Sequence, residues 1–164
     1  MPVGEGDVFD YINHKKGDIC QNHYDTEAEN HCAHFVSHAL GITLATKCGD
    51  LAYATRGTGA TVRCNELFNG LTNRGVWANR PDKQAPLLLF VTFEQNVRNN
   101  VMGMMPSKHV GIWFSQRVYN FSNTAHIVVA DESPDKFIHK IGTYYKGKHP
   151  NSGNIGAYYG VPPI

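Results

Sequence analysis

Four runs of strand-forming residues crowd the stretch from position 86 to 130, and they constrain the fold more than any other feature. Pro86-Leu-Leu-Leu-Phe-Val-Thr-Phe93 is a short apolar run bounded by a proline and a polar loop, and it reads as a central strand. His109-Val-Gly-Ile-Trp-Phe114, Arg117-Val-Tyr-Asn-Phe-Ser122 and His126-Ile-Val-Val-Ala130 then follow as three antiparallel strands joined by tight turns. Upstream the apolar period is helical. Asn30 is placed to cap a helix through Leu40, with Cys32, Phe35, Val36, Ala39 and Leu40 on its apolar face and Gly41 as its stop. A second helix is expected from Thr61 as cap through Cys64, Leu67, Phe68 and Leu71 to Gly75. Ser133-Pro134 opens a third, carried by Phe137, Ile138 and Ile141 and ended by Gly142.

Helices followed by a meander of strands predict an α+β fold, with the helices packed on one face of a central antiparallel sheet. At 164 residues and 41% hydrophobic, the chain has the content of one domain spanning 1–164. The remaining segments read as connections. Residues 1–28 are expected to be mostly loop, with Phe9, Tyr11 and Tyr24 as a loose layer ahead of the helix, and residues 42–60 a surface connection. Glu94 to Lys108 reads as a short amphipathic helix or as a mobile loop beside a site. The tail bearing Tyr144, Tyr145, Tyr158 and Tyr159 is expected to wrap the sheet.

Charge excludes several functions. A formal net charge of +1 with no dense basic run leaves no footprint for nucleic acid or an anionic membrane. The sequence has no apolar run of about 18 residues for membrane insertion, and its start lacks the pattern of a secretory signal. The four cysteines, at 20, 32, 48 and 64, lack paired close spacing, which argues against a disulfide framework or a four-cysteine zinc site and leaves a Cys48–Cys64 bridge open. A reducing cytoplasm and a functional thiol fit this usage.

Cys32 is the thiol in question. At the first turn of a helix it meets the positive end of the dipole, which favours the nucleophilic thiolate. Such a nucleophile needs a base able to protonate a leaving amine, a task suited to histidine. Of nine histidines, His109 opens a strand and precedes Gly111, whose missing side chain leaves room for another group. A third residue should accept the other ring N–H. With Ser115-Gln116 as a two-residue hairpin loop, Phe114 pairs with Arg117 and Asn120 comes to the face of His109. A three-residue loop would bring Asn123 opposite instead, and Asp131 is a more distant third. The backbone N–H of Cys32, with Tyr24 or Gln21 from the preceding loop, would hold the oxyanion.

These residues carry a resemblance. Asn30-His-Cys-Ala-His-Phe-Val-Ser-His-Ala-Leu, Leu87 to Phe93, His109-Val-Gly-Ile-Trp-Phe and Val118-Tyr-Asn resemble the papain-like NlpC-type cell-wall peptidases and CHAP amidases, over about residues 29–123. The resemblance implies a papain-like (NlpC/CHAP) fold, with Cys32 as nucleophile, His109 as base and Asn120 in third place. It also implies an amide in peptidoglycan peptide stems as substrate, and no cofactor. The chain departs from those families in its Asn, where His is frequent, and in a longer insert from Glu94 to Lys108. The cysteine motif is also similar to that of lecithin retinol acyltransferase relatives, thiol acyltransferases in which the histidine strand precedes the cysteine helix; here Cys32 comes first. A cell-wall enzyme without a signal peptide implies a phage-lysin-like protein or an antibacterial effector. It would be made in the bacterial cytoplasm, exported by a non-classical route and paired with an immunity protein.

Two further readings exist. His31, His34 and His38 fall at i, i+3 and i+7, with Cys20 and His23 upstream, a pattern that raises metal binding. That stripe points away from Cys32 and has no evident second pair, so the histidines are expected on the solvent-exposed side of the helix, with no metal site. A non-catalytic binding module on the same fold is the other.

Overall fold

The computed structural model describes residues 3–20, 22, 31–51, 56–82 and 86–163. Its centre is β2 (Leu87–Phe93), in which every residue is buried. An apolar run without a polar face requires cover on both sides, and β2 has it. Leu88 and Phe90 pack with Phe35 and Val36 of α2 (Cys32–Leu40) and Phe68 of α3 (Cys64–Gly70). Leu87, Leu89 and Val91 pack on the opposite face with Trp77 and with Phe137 of α4 (Pro134–Lys148). The helices are therefore divided between two faces, which corrects the one-faced layering expected from the sequence.

The sheet is α+β in class and antiparallel throughout, with six strands. It comprises β1 (Arg74–Val76), β2, β5 (Lys108–Phe114), β6 (Arg117–Ser122), β7 (Ile127–Asp131) and β8 (Ile155–Gly160), in the order β1-β8-β2-β5-β6-β7. The tail does not wrap the sheet but enters it. β8 lies between β1 and β2, with Leu88 opposite Gly160 and Phe93 opposite Ile155. Its alternating burial was masked in the sequence by its glycines. The segment after β2 is neither helix nor loop alone: a helical turn at Glu94–Asn96 leads into a small hairpin, β3 (Val97–Arg98) and β4 (Val101–Met102). Asn99 and Asn100, at φ 52° and 60°, form its turn, the left-handed geometry that asparagine tolerates and that breaks a helical period.

Helix ends differ from expectation for local reasons. α2 begins at Cys32 with His31 as its cap residue, and Asn30 lies outside the described residues. Gly41 does end it, in the left-handed conformation at φ 69°. α3 is capped at Arg63, because Thr61 is drawn into a bridge with Lys47 and bonds both the N–H and C=O of Leu44. Gly75, its expected stop, is instead in β1. α4 starts as expected, with the Ser133 hydroxyl accepting from the Lys136 N–H, but runs through Gly142 to Lys148. Gly142 is there for contact: a Cβ would stand 3.2 Å from Ile155 of β8. The segment before α2 contains α1 (Glu5–Phe9), and Tyr11 packs edge-on against Phe35, while Phe9 is exposed.

Candidate active site

Cys32 is the first residue of α2, which docks on β5 and β6, and its side chain is wholly buried. The hairpin between those strands has the two-residue loop, with Phe114 opposite Arg117 and Ile112 opposite Tyr119. Their ladder ends at Ile112 and Tyr119. β5 continues along β2 to Lys108, and β6 continues along β7 to Ser122. Beyond the hairpin end, then, β5 and β6 are held by different neighbours, and His109 and Asn120 meet there by their side chains.

His109 Nε2 and Asn120 Oδ1 are 3.0 Å apart. The roles follow from the surroundings of the amide. Asn120 Nδ2 donates to Asp131 Oδ2 at 2.8 Å and to the Val118 carbonyl at 3.3 Å, which leaves Oδ1 as an acceptor for an Nε2–H. The other ring nitrogen, Nδ1, is thus left for the thiol. Asp131 is itself fixed by the Lys140 ammonium, 2.7 Å from each of its oxygens. Of the three sequence candidates for the third place, Asn120 contacts His109, Asp131 stands one step behind it, and Asn123 is an exposed residue lining the cavity that reaches His109. The His109 ring also stacks on Phe137, with centroids 5.6 Å apart.

Gly111 acts differently from expectation. A Cβ there would lie 2.6 Å from Val118 Cγ1, 3.0 Å from the Tyr119 carbonyl and 3.2 Å from Asn120 Cβ. The room it provides is filled by β6, and this close approach brings Asn120 beside His109.

Electrostatics favour a charged pair. A hydrogen bond from Cys64 lowers the Cys32 pKa well below the ordinary thiol value; burial opposes this, and bonds from His109 and the Val110 N–H reinforce it. Burial pushes the Cys64 thiol up, as does its bond to Cys32. For His109, burial acts to lower the pKa, but the bond and charge of Cys32 and the bond to Asn120 outweigh it, and the ring ends above its ordinary value. Cys64 belongs to this site, a role that its place on an amphipathic helix concealed. Like Cys32 it opens a helix, a position that the expected cap at Thr61 did not give it.

A cavity of about 260 Å³ reaches His109 and Asn120, with Lys140, Ile141, Tyr144 and Tyr145 of α4 along its wall. A second groove, of about 930 Å³, combines Val97 and Asn100 of the insert with Ile155 and Tyr158 of β8 and includes none of the three residues. The oxyanion candidates Gln21 and Tyr24 lie outside the described residues.

The histidine stripe of α2 is not solvated. His31 and His34 are buried and His38 is half-buried, with Phe121 against His31, Cys20 against His34 and Cys48 against His38, so the exposed polar face expected from the sequence is corrected. Residues 42–60 are accordingly more than a surface connection, since Ile42, Cys48 and Ala60 are buried. None of the four cysteines forms a disulfide; Cys64 lies against Cys32, and Cys48 lies against Cys20 and His38.

Compared with models of known protein families and with curated proteins, the chain matches none. Among the described residues, no helix is long and apolar enough to cross a membrane.

Proposed function

We propose that the chain is a cysteine hydrolase of papain-like architecture, with Cys32 as nucleophile, His109 as general base and acid, and Asn120 orienting the ring. The observation that carries this is the contact of His109 Nε2 with Asn120 Oδ1 at 3.0 Å, with Cys32, at a helix start, hydrogen-bonded to the same imidazole. Within that class the reading is an amidase or endopeptidase acting on peptidoglycan peptide stems, as the resemblance of the cysteine and histidine segments implies. The protein would be a phage-lysin-like enzyme or an antibacterial effector that acts on the cell wall and is neutralised in its producer by an immunity protein.

The chemistry follows from the arrangement. The Cys32 thiolate attacks the amide carbonyl carbon, and the resulting oxyanion accepts a hydrogen bond from the N–H at the start of α2. Collapse of the tetrahedral species breaks the C–N bond, and His109 gives its Nδ1 proton to the leaving amine. A thioester remains on Cys32. Water, deprotonated by His109, attacks it and releases the carboxylic acid with the thiolate restored. Throughout, Asn120 keeps Nε2 protonated and Nδ1 directed at the sulfur, while Asp131 and Lys140 keep the amide from turning over.

Mass analysis of peptidoglycan digests tests the assignment. The protein should release stem fragments with a new amine and a new carboxylate, and Cys32→Ala should release none; digestion by the Cys32→Ala protein, or no cleavage by either, would overturn it.

A further inference from the structure

Three segments outside the proposed catalytic apparatus converge on one spot. His34 and His38 are one turn apart and so share a face of α2, on the far side of the helix from Cys32. Cys20 approaches from the chain before the helix and Cys48 from the loop after it. Cys20 Sγ is 3.2 Å from His34 Nε2 and 3.9 Å from Cys48 Sγ, and His38 Nε2 is 3.3 Å from Cys48 Sγ. All four donor atoms lie within 4.8 Å of one another.

We propose that Cys20, His34, His38 and Cys48 form a structural zinc site. Zinc binds thiolate at about 2.3 Å and imidazole at about 2.0–2.1 Å, and closed tetrahedral sites take four protein ligands. A tetrahedron with those bond lengths has edges of about 3.8 Å between sulfurs and about 3.6 Å between sulfur and nitrogen. The Cys20–Cys48, Cys20–His34 and Cys48–His38 separations of 3.9, 3.2 and 3.3 Å fall within a few tenths of an ångström of these edges, and the remaining pairs lie within 4.8 Å. Two sulfurs and two imidazoles in this geometry select zinc over the hard, oxygen-seeking cations. With four protein donors there is no open position for a substrate, so the site is structural.

Two N–H donors face the Cys48 sulfur. It accepts from Asn22 Nδ2 at 3.4 Å and from the Ala60 N–H at 3.4 Å. These donors would serve as outer partners of a sulfur that ligates a metal. The loop is shaped to the sulfur: Gly59 has φ 93°, and a Cβ there would lie 2.3 Å from Cys48 Sγ. His34 also has its outer partner. While Nε2 faces the cluster, its Nδ1 lies 3.4 Å from His31 Nδ1, the type of contact that fixes the tautomer of a ligating imidazole. The His-x3-His spacing was visible in the sequence. The two cysteines, 28 positions apart, have no motif that joins them.

The metal would tie α2 to the chain on both sides of it, two residues from Cys32. Its presence is measured independently of any hydrolase activity. Untagged protein produced in zinc-supplemented medium should contain one zinc per chain by elemental mass spectrometry. Protein produced with cobalt instead should show the intense visible bands of a tetrahedral site and a sulfur-to-cobalt charge-transfer band. Cys20→Ser and Cys48→Ser should each retain less than a tenth of the metal, while Cys32→Ala and Cys64→Ser keep it all. Should either serine variant fail to fold, the wild-type metal content and cobalt spectrum decide alone. Substoichiometric zinc, an octahedral cobalt spectrum, full metal in Cys48→Ser, or a Cys20–Cys48 disulfide in the purified protein would overturn the proposal.

Discussion

Asn120→Ala tests the proposed site at its most defined contact. The substitution removes the acceptor 3.0 Å from His109 Nε2 and leaves Cys32, the backbone and the Asp131–Lys140 pair in place. A hydrogen bond to a charged partner contributes about 1.5–3 kcal/mol, and the imidazolium is charged when it protonates the leaving amine. With about 1.36 kcal/mol per tenfold in rate, kcat/KM should fall by about 10- to 150-fold. The pH profile should move as well. After burial and the effect of Cys32, the bond to Asn120 is among the influences on His109, and it acts to raise the ring pKa. Without it the imidazolium is lost at lower pH, so the basic limb of the profile shifts downward. Turnover is followed on the stem peptide identified from digests. In parallel, alkylation of Cys32 by iodoacetamide is mapped by mass spectrometry across pH, which requires no substrate. A denaturant midpoint close to wild type would show that the fold survives. A variant that folds, turns over within threefold of wild type and keeps its basic limb would refute the orienting role.

Other consequences are as specific. Wild-type activity should plateau between an acid limb below the ordinary thiol range, where Cys32 gains its proton, and a basic limb above the ordinary imidazole range, where His109 loses its own; a single-limbed profile would count against a thiolate–imidazolium pair. Cys64→Ala removes the bond that does most to lower the Cys32 pKa, so the acid limb should move to higher pH; an unmoved limb would exclude Cys64 from the site. Gly111→Ala forces a methyl to within 3.0 Å of the Tyr119 carbonyl and should destabilise the fold by about 1–3 kcal/mol in urea. It should also separate His109 from Asn120, so an unchanged midpoint with full activity would argue against the pinch. Lys140→Met removes a half-exposed ammonium from Asp131 and should slow turnover by no more than about fivefold, in keeping with the 0–1 kcal/mol of exposed ion pairs.

The parts of this structure that could be read in the sequence are those in which a local pattern has a single physical reading. The apolar run at 87–93 became the buried strand it suggested, Gly41 took the left-handed conformation, and the Ser115-Gln116 loop set the register. From that register came the juxtaposition of His109 and Asn120. Other features depend on partners distant in the chain. Gly142 and Gly156 look like helix and strand breakers, yet one admits Ile155 and the other accommodates the Tyr158 ring. Cys64 reads as core because its period is apolar, and nothing near it in sequence points to Cys32. His34 and His38 read as a solvated face because their cover is supplied by Cys20 and Cys48, from both sides of the helix.

The place of β8 bears on how the protein is made. Its partners in β2 were synthesised 62 to 72 residues earlier, counting from Phe93 to Ile155 and from Leu88 to Gly160. Until residues 155–160 leave the ribosome, Leu87-Leu-Leu-Phe-Val-Thr-Phe93 has a bare edge, and an uncharged, β-rich edge is what pairs with other chains. Interrupted translation should therefore yield aggregate rather than a partly active domain, and the complete sheet becomes available only when synthesis has passed Gly160.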